Sequence, residues 1–291
     1  MKGKTFGTVI FVLFFVLAGS ISGAYALSFP TYFKFKFENW EYFNPNIQPG
    51  NVMPDGIEDN WGVAQVTSIY DLQNPGSLPT WLIGDDGEEI RVFFYGLDLA
   101  YWDSATHEYG MTQAYGGAYM DLYLWDSDDP DYVPLDLNTT NRYSYNEYDT
   151  ITNGGVRLVR FEYTHGVTPN PYIVSAGTTS SSTNPPTGRG TAFLRVVPNS
   201  GTMANTFDQN RVLSALDMAG IAYETAWIDP EADLFIDFNF YSLTNPIGGF
   251  QLRSDDPAYG AVPEPATLML MGSGLLLAGG FGRKKLFKRG K

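Results

Sequence analysis

The chain has 291 residues, no Cys, two His, and 32 Asp and Glu against 18 Lys and Arg. The absence of Cys excludes a disulfide framework, an iron–sulfur site and a cysteine nucleophile. The acidic balance argues against a nucleic-acid partner, because duplex binding depends on Lys and Arg that neutralise phosphates. Twenty Phe, 19 Tyr and 31 Gly favour a β-rich fold with many turns.

The first 26 residues have the three parts of a secretory signal peptide. Lys2 and Lys4 supply the positive start, residues 9–18 form an uncharged apolar run, and the small residues Ala24 and Ala26 mark a cleavage site. The apolar run is too short to span a bilayer as a permanent anchor. We therefore predict that the Sec machinery exports the chain and that signal peptidase cuts it after residue 26.

Between the two ends, several runs alternate apolar and polar residues with the period of two that half-buried strands have. In chain order, the predicted strands are residues 33–37, 61–70, 90–95, 119–124, 156–163, 192–197, 221–228 and 234–241. Residues 207–219 alone have the spacing of a helix. Turn residues separate nearly all the strands. The pattern predicts an all-β fold, a single β-sandwich or jelly-roll-like domain over residues 27–260.

Residues 177–190 (GTTSSSTNPPTGRG) are rich in Ser, Thr, Pro and Gly and cannot bury a core. The segment is either a linker between two domains or a long loop within one. About 70 residues follow it before the C-terminal segment, which is few for a separate β domain without crosslinks. We therefore favour one domain.

An acidic run in a predicted loop offers several oxygen ligands. Residues 27–262 carry 10 basic and 31 acidic residues, a net charge of −21, and such a charge attracts divalent cations. Calcium prefers six to eight oxygen ligands. The run does not have the EF-hand spacing, and a solvated acidic loop is the simpler interpretation. The candidate calcium ligands are Asp126, Asp128, Asp129 and Asp131.

No catalytic motif is found in the chain. The G-x-S-x-G elbow and the phosphate-binding G-x-x-x-x-G-K pattern are both missing. A glycosidase needs two carboxylates at a defined separation, but among 31 carboxylates some pair always satisfies that distance. Four Trp residues near acidic residues are either sugar-stacking rings or part of the core: Trp61, Trp81, Trp102 and Trp125.

The C-terminal segment, residues 261–291, has three parts. The sequence Pro263-Glu264-Pro265 is a stiff break, residues 266–282 form an apolar run, and residues 283–291 carry six positive charges. Seventeen residues make a helix of roughly 25 Å, close to the ~30 Å hydrocarbon core of a bilayer. The basic residues favour a cytoplasmic end. We predict a single transmembrane helix with residues 27–262 on the outer side of the inner membrane.

This arrangement closely resembles the PEP-CTERM sorting domain. The resemblance covers about 30 residues and rests on the Pro-Glu-Pro element, the glycine-broken apolar run, and the basic end that begins with Arg283, Lys284 and Lys285. It implies recognition by an exosortase, a membrane transpeptidase that cuts near the Pro-Glu-Pro element and releases the protein from its tail. It also implies a Gram-negative bacterium that makes exopolysaccharide or a biofilm matrix.

Together these features predict an exported, non-catalytic protein of the cell surface, the extracellular matrix or a biofilm. The alternative is a secreted carbohydrate-binding module, assisted by calcium, that contacts exopolysaccharide. A glycoside-active enzyme is a third and less favoured hypothesis.

Overall fold

The structure is a computed structural model that describes residues 27, 29–44, 46–47, 50, 54–137, 149–152, 154–180 and 185–263. The predicted signal peptide and the predicted membrane helix lie outside these residues. Within the described ranges, no helix has the length and apolar character needed to cross a bilayer.

The described residues form one large antiparallel sheet of eleven strands. The strands are β1 (Tyr32–Phe43), β2 (Asn60–Asp71), β3 (Trp81–Leu82), β4 (Glu88–Trp102), β5 (Glu108–Gln113), β6 (Tyr119–Asp126), β7 (Val156–Thr164), β8 (Ser175–Thr179), β9 (Gly188–Val196), β10 (Leu234–Ile247) and β11 (Phe250–Ala261). The described helices are short: α1 (Asp149–Thr152), α2 (Ala204–Phe207) and α3 (Val212–Ala219). Two 3₁₀ turns cover Asp85–Gly87 and Thr225–Trp227.

The strand pairings close on themselves. The hydrogen-bonded path runs β1, β2, β4, β6, β7, β9, β10, β11 and back to β1. Strands β5 and β8 make a second bridge from the end of β4 to the start of β9, and β3 pairs with the edge of β2. Because the path is closed, one face of the sheet is turned inward around a common core.

Side-chain alternation explains which face is buried. Phe33, Phe35 and Phe37 of β1 point inward and are at most 6% exposed, whereas Lys36 between them is exposed. Every long strand contributes inward residues to the same apolar cluster. The main core therefore lies inside the closed path.

Two smaller apolar clusters lie on the outer face. One contains Trp40, Trp61, Phe93 and Trp125. In the other, α3 packs its apolar side onto β10 and β11, where Leu216 joins Phe235. The outer face of the sheet is thus covered in part by the chain's own loops and helices.

The all-β prediction is confirmed. Six of the eight predicted strands lie inside observed strands, and a seventh, residues 192–197, runs one residue past the end of β9. The predicted strand over residues 221–228 is wrong, because this stretch is irregular with a 3₁₀ turn and packs Tyr223 against Phe193 and Phe235. Within the low-complexity segment, residues 177–179 at the end of β8 pair with residues 188–190 at the start of β9. The strands before and after the segment belong to the same sheet. The sandwich or jelly-roll arrangement and the domain limits stay predictions.

Candidate functional site

The inward row of β1 changes from apolar to polar halfway along the strand. After Phe37, the next inward positions are Asn39 and Glu41, and both are buried. Strand β11 runs beside β1 with Asn39 opposite Ser254. Because alternate residues share a face, Asp256 also points inward. Pairing of these two strands therefore brings polar side chains together inside an apolar core.

These side chains form a hydrogen-bonded cluster around Glu41. Asn39 Nδ2 donates to Glu41 Oε1 at 3.0 Å, and Asn60 Nδ2 of β2 donates to Glu41 Oε2 at 3.1 Å. The Ser254 hydroxyl lies 3.0 Å from Glu41 Oε1 and 2.7 Å from Asp256 Oδ2, and it also contacts Asn39 Oδ1. One serine hydroxyl thus bridges the two carboxyl groups.

The contacts of Ser254 favour a proton on the carboxyl pair. Its hydroxyl meets three oxygen atoms, one each from Asn39, Glu41 and Asp256, yet a hydroxyl donates only one hydrogen bond. At least one of the other two contacts therefore needs a hydrogen atom on the partner oxygen. The amide oxygen of Asn39 carries no hydrogen, so this atom belongs to a carboxyl group. This arrangement favours a state in which Glu41 and Asp256 together hold at least one proton.

Burial favours the same protonation. It raises the pKa of Glu41, although hydrogen bonds from Asn60, Ser254 and Asn39 act in the opposite direction. It raises the pKa of Asp256 well above its usual range, and the charge of Glu41 adds to this effect. Both shifts follow from the cost of holding a charge in a low-dielectric interior.

The cluster forms one wall of an internal cavity of about 70 Å³. Most of the lining is apolar and includes Phe94, Leu99, Met120 and Phe240. Two buried tyrosines, Tyr109 and Tyr163, also line it. Burial raises the pKa of both phenols, and the nearby Glu41 and Asp256 reinforce the shift, so both stay protonated near neutral pH.

Two polar atoms of the cavity lack a hydrogen-bond partner among the described residues. They are the Tyr109 hydroxyl and Asp256 Oδ1. Gly190 of β9 makes room for the first, because a Cβ at that position would overlap the Tyr109 hydroxyl. An unpaired buried polar group costs about 1–3 kcal/mol, so a cavity that keeps two of them is a candidate binding site.

A second depression of about 270 Å³ lies on the surface beside Arg195. Arg195 Nη2 is 2.8 Å from Glu162 and Nη1 is 3.6 Å from Glu231, so its charge is already paired. Asp233 in the same depression accepts hydrogen bonds from three backbone N–H groups. These polar groups hold loops in place, and the internal cavity is the stronger candidate.

The predicted calcium ligands are exposed and lie at the last residue of β6 and in the turn that follows it. Asp126 Oδ1 accepts from the N–H of Asp128, and Asp129 Oδ1 accepts from that of Asp131, both at 2.9 Å. Among the described residues, no three acidic or histidine side chains are grouped closely enough to hold a metal ion. Calcium binding at these residues stays a prediction.

The tryptophans considered for sugar stacking are core residues. Trp61, Trp81, Trp102 and Trp125 are at most 6% exposed. Trp125 donates from its ring nitrogen to the Ile151 carbonyl at 2.9 Å. These rings are therefore not available as a platform for a saccharide.

Sequence reasoning missed Glu41 and Asp256. The alternation that identified Phe33, Phe35 and Phe37 continues through Asn39 and Glu41, and extending it would have placed an acid in the core. No comparable signal pointed to Asp256, because the stretch Ser-Asp-Asp-Pro that contains it has the composition of a loop.

The end of the described chain adjoins the predicted processing element. Strand β11 ends at Ala261, the buried Val262 donates its backbone N–H to Thr31 at 2.9 Å, and Pro263 is exposed. Leu27, the predicted mature N-terminus, is 8% exposed. The other predicted processing residues lie outside the described part of the chain: Ala24, Ala26, Glu264, Pro265, Arg283, Lys284 and Lys285.

Comparison with known proteins identifies this C-terminal segment. Residues 261–285 match the PEP-CTERM protein-sorting motif. No curated protein and no solved structure matches the chain. An all-β chain with this motif belongs to the class of exported, cell-surface-directed proteins. It is a PEP-CTERM domain-containing protein, and an exosortase is its processing partner.

Proposed function

We propose that residues 27–262 form a non-catalytic surface or extracellular-matrix protein of a biofilm, which an exosortase separates from its tail. The observation that carries this proposal is the position of the sorting motif, which begins at the last residue of β11. A cut near the Pro-Glu-Pro element would leave every strand of the sheet in the mature protein. The predicted tail holds the chain at the inner membrane only until that cut.

The acidic surface supports this role. A net charge of −21 over residues 27–262 keeps an exported protein soluble and repels anionic membrane surfaces. The interior offers little to a glycosidase, because a cavity of about 70 Å³ is far below the ~300–1,000 Å³ of typical ligand pockets. These features favour a structural or binding role over catalysis.

The test is the mass and location of the mature protein in its host. We expect a chain that starts at Leu27, ends near Pro263 and lies outside the membrane fraction. Replacement of Pro263, Glu264 and Pro265 by Ala should leave the full tail attached and the protein in the membrane fraction. Ser273→Ala, in the same tail but outside the element, is the matched control. Normal release of the triple variant would contradict the proposal.

Carbohydrate binding is the competing function. It would have to use surface rings such as Tyr115 and Tyr172, which are 87% and 76% exposed, because aromatic faces are the usual sugar platforms and the four tryptophans are buried. A glycan array with and without EDTA separates the two functions. Glycan binding that EDTA abolishes would favour a calcium-assisted module, whereas an array without signal would favour the structural role.

A further inference from the structure

The internal cavity holds two acidic side chains without a cationic partner. Among the described residues, no Lys, Arg or His forms an ion pair with Glu41 or Asp256. Their partners are the neutral side chains of Asn39, Asn60 and Ser254, together with the backbone N–H of Asn239. The cluster therefore has more acceptor atoms than donors and carries no compensating positive charge.

We propose that this cavity binds a small organic ammonium ion, a primary amine whose N–H groups donate to Asp256 and whose apolar body lies against the aromatic lining. The ammonium group brings three hydrogen-bond donors and one positive charge. The cluster has too few donors for its acceptor atoms and no positive charge of its own. The unpartnered Asp256 Oδ1 and the Tyr109 hydroxyl mark its position. An anionic ligand is excluded by the like charge of the carboxyl pair.

The size of the cavity limits the apolar body. An engineered cavity of about 150 Å³ holds benzene, and the present cavity is about 70 Å³. We therefore expect an amine with about half the heavy atoms of benzene, of the size of ethylamine. The lining residues Phe94, Leu99 and Met120 supply apolar contact to such a chain.

Binding should release a proton. A proton held by Glu41 and Asp256 offsets part of their negative charge, and a bound ammonium ion would take over that role and displace the proton into solution. The other titratable groups near the pair are Tyr109 of β5, Tyr163 of β7, Tyr241 of β10 and Asp255, which neighbours Asp256 on β11. The pKa of each of the three phenols is raised, so they stay neutral near pH 7. Asp255 is exposed, so the carboxyl pair is the source of the proton.

The experiment is calorimetric titration of the protein purified from its host, at pH 7, with ethylamine, ethanol and acetate. These probes have similar chains and differ in charge. We expect binding of the amine, at least about tenfold weaker binding of the alcohol, and none of acetate. The heat of amine binding should differ between buffers of unlike ionisation enthalpy, as release of about one proton requires.

Two substitutions locate the site. Asp256→Asn keeps the shape of the side chain and should weaken amine binding at least about tenfold. Asp255→Asn makes the same change of charge on the outer face and should leave binding unchanged. If Asp256→Asn does not fold, Tyr109→Phe tests the same cavity by removing one hydroxyl, and it should weaken binding severalfold.

Three results would overturn the proposal: no binding of the amine, equal binding of amine and alcohol, or equal loss of binding in Asp255→Asn and Asp256→Asn. None of them bears on release by the exosortase, which is measured by mass and location. The proposed cavity ligand and the proposed surface role can therefore fail separately.

Discussion

Asp98 is a buried acid whose protonation couples folding to pH. It lies in β4 and is 1% exposed, and its Oδ2 accepts from the backbone N–H of Gly56 at 2.7 Å. Burial raises the pKa of Asp98 to about 7, and the charges of Asp59 and Asp55 add to the shift. In the unfolded chain the pKa of an Asp is about 3.9.

The sign of the stability effect follows from the two pKa values. Between about pH 4 and 7 the folded state holds a proton on Asp98 that the unfolded state has lost, so raising the pH through this window lowers the free energy of unfolding. We predict that Asp98→Asn, which has no carboxyl to ionise, reduces this decline. Urea unfolding at pH 4.5, 6 and 8 measures it.

Asp131→Asn, in the exposed turn after β6, is the control for a general change of net charge. It should leave the pH dependence as in the unaltered protein. An equally steep decline in Asp98→Asn and the unaltered protein would show that Asp98 does not carry the effect.

Helix α2 shows how a short element depends on tertiary packing. Four residues are too few for a helix to be stable alone, yet Phe207 at its end is 1% exposed. Its ring packs edge-on against Phe29, Phe33 and Phe161 at centroid distances of 5.0, 5.8 and 5.7 Å. The helix thereby joins the N-terminal segment to β1 and β7.

We predict that Phe207→Ala lowers the free energy of unfolding by about 3–5 kcal/mol, because it removes a large ring from a well-packed core. Leu213→Ala, in α3, is a suitable control, since Leu213 is 40% exposed and such surface changes alter stability by about 0.5 kcal/mol or less. Urea unfolding of both variants is the measurement. Equal, small losses would mean that the aromatic cluster adapts to the missing ring.

Strands were predictable from the sequence where alternation was strong and local. Strand β1 alternates Phe and Lys, and the predicted residues 33–37 lie inside it. Strand β11 was not predicted, because its Asp, Pro and Gly residues have low β propensity. Its long pairings with β1 and β10 override that local preference. The candidate cavity could not be predicted for the same reason, since half of its acidic pair lies on β11.

The opposite error occurred at residues 221–228. Ile221 and Tyr223 have the spacing of a strand, but they pack onto the outer face of β9 and β10 with α3. Alternation within this segment did not show that β9 and β10, the strands next to it, already pair with other strands on both sides. At the scale of elements, the partners of a segment decide its structure as much as its own residues do.

At the scale of the whole molecule, the two ends of the described body meet. Tyr32 pairs with Ala261, the last residue of β11, and Val262 donates its backbone N–H to the Thr31 carbonyl. Backbone hydrogen bonding therefore continues up to the residue before the Pro-Glu-Pro element. The sorting motif at residues 261–285 therefore overlaps the last residue of the sheet. A processing enzyme that must bind a chain not already paired in a sheet finds almost no such residues on the N-terminal side of Pro263.

Because β11 ends so close to Pro263, we predict that the distance between the sheet and the Pro-Glu-Pro element controls the rate of cleavage by the exosortase. Insertion of Gly-Ser-Gly-Ser between Val262 and Pro263 supplies a flexible chain without altering β11, and we expect faster conversion to the mature form in a pulse-chase experiment. The same four residues inserted after Gly76, at an exposed turn between β2 and β3, are the control and should leave the rate unchanged. If the junction insertion has no effect either, the exosortase acts before β11 has paired with β1, and the order of folding and cleavage is the reverse of the one that this prediction assumes.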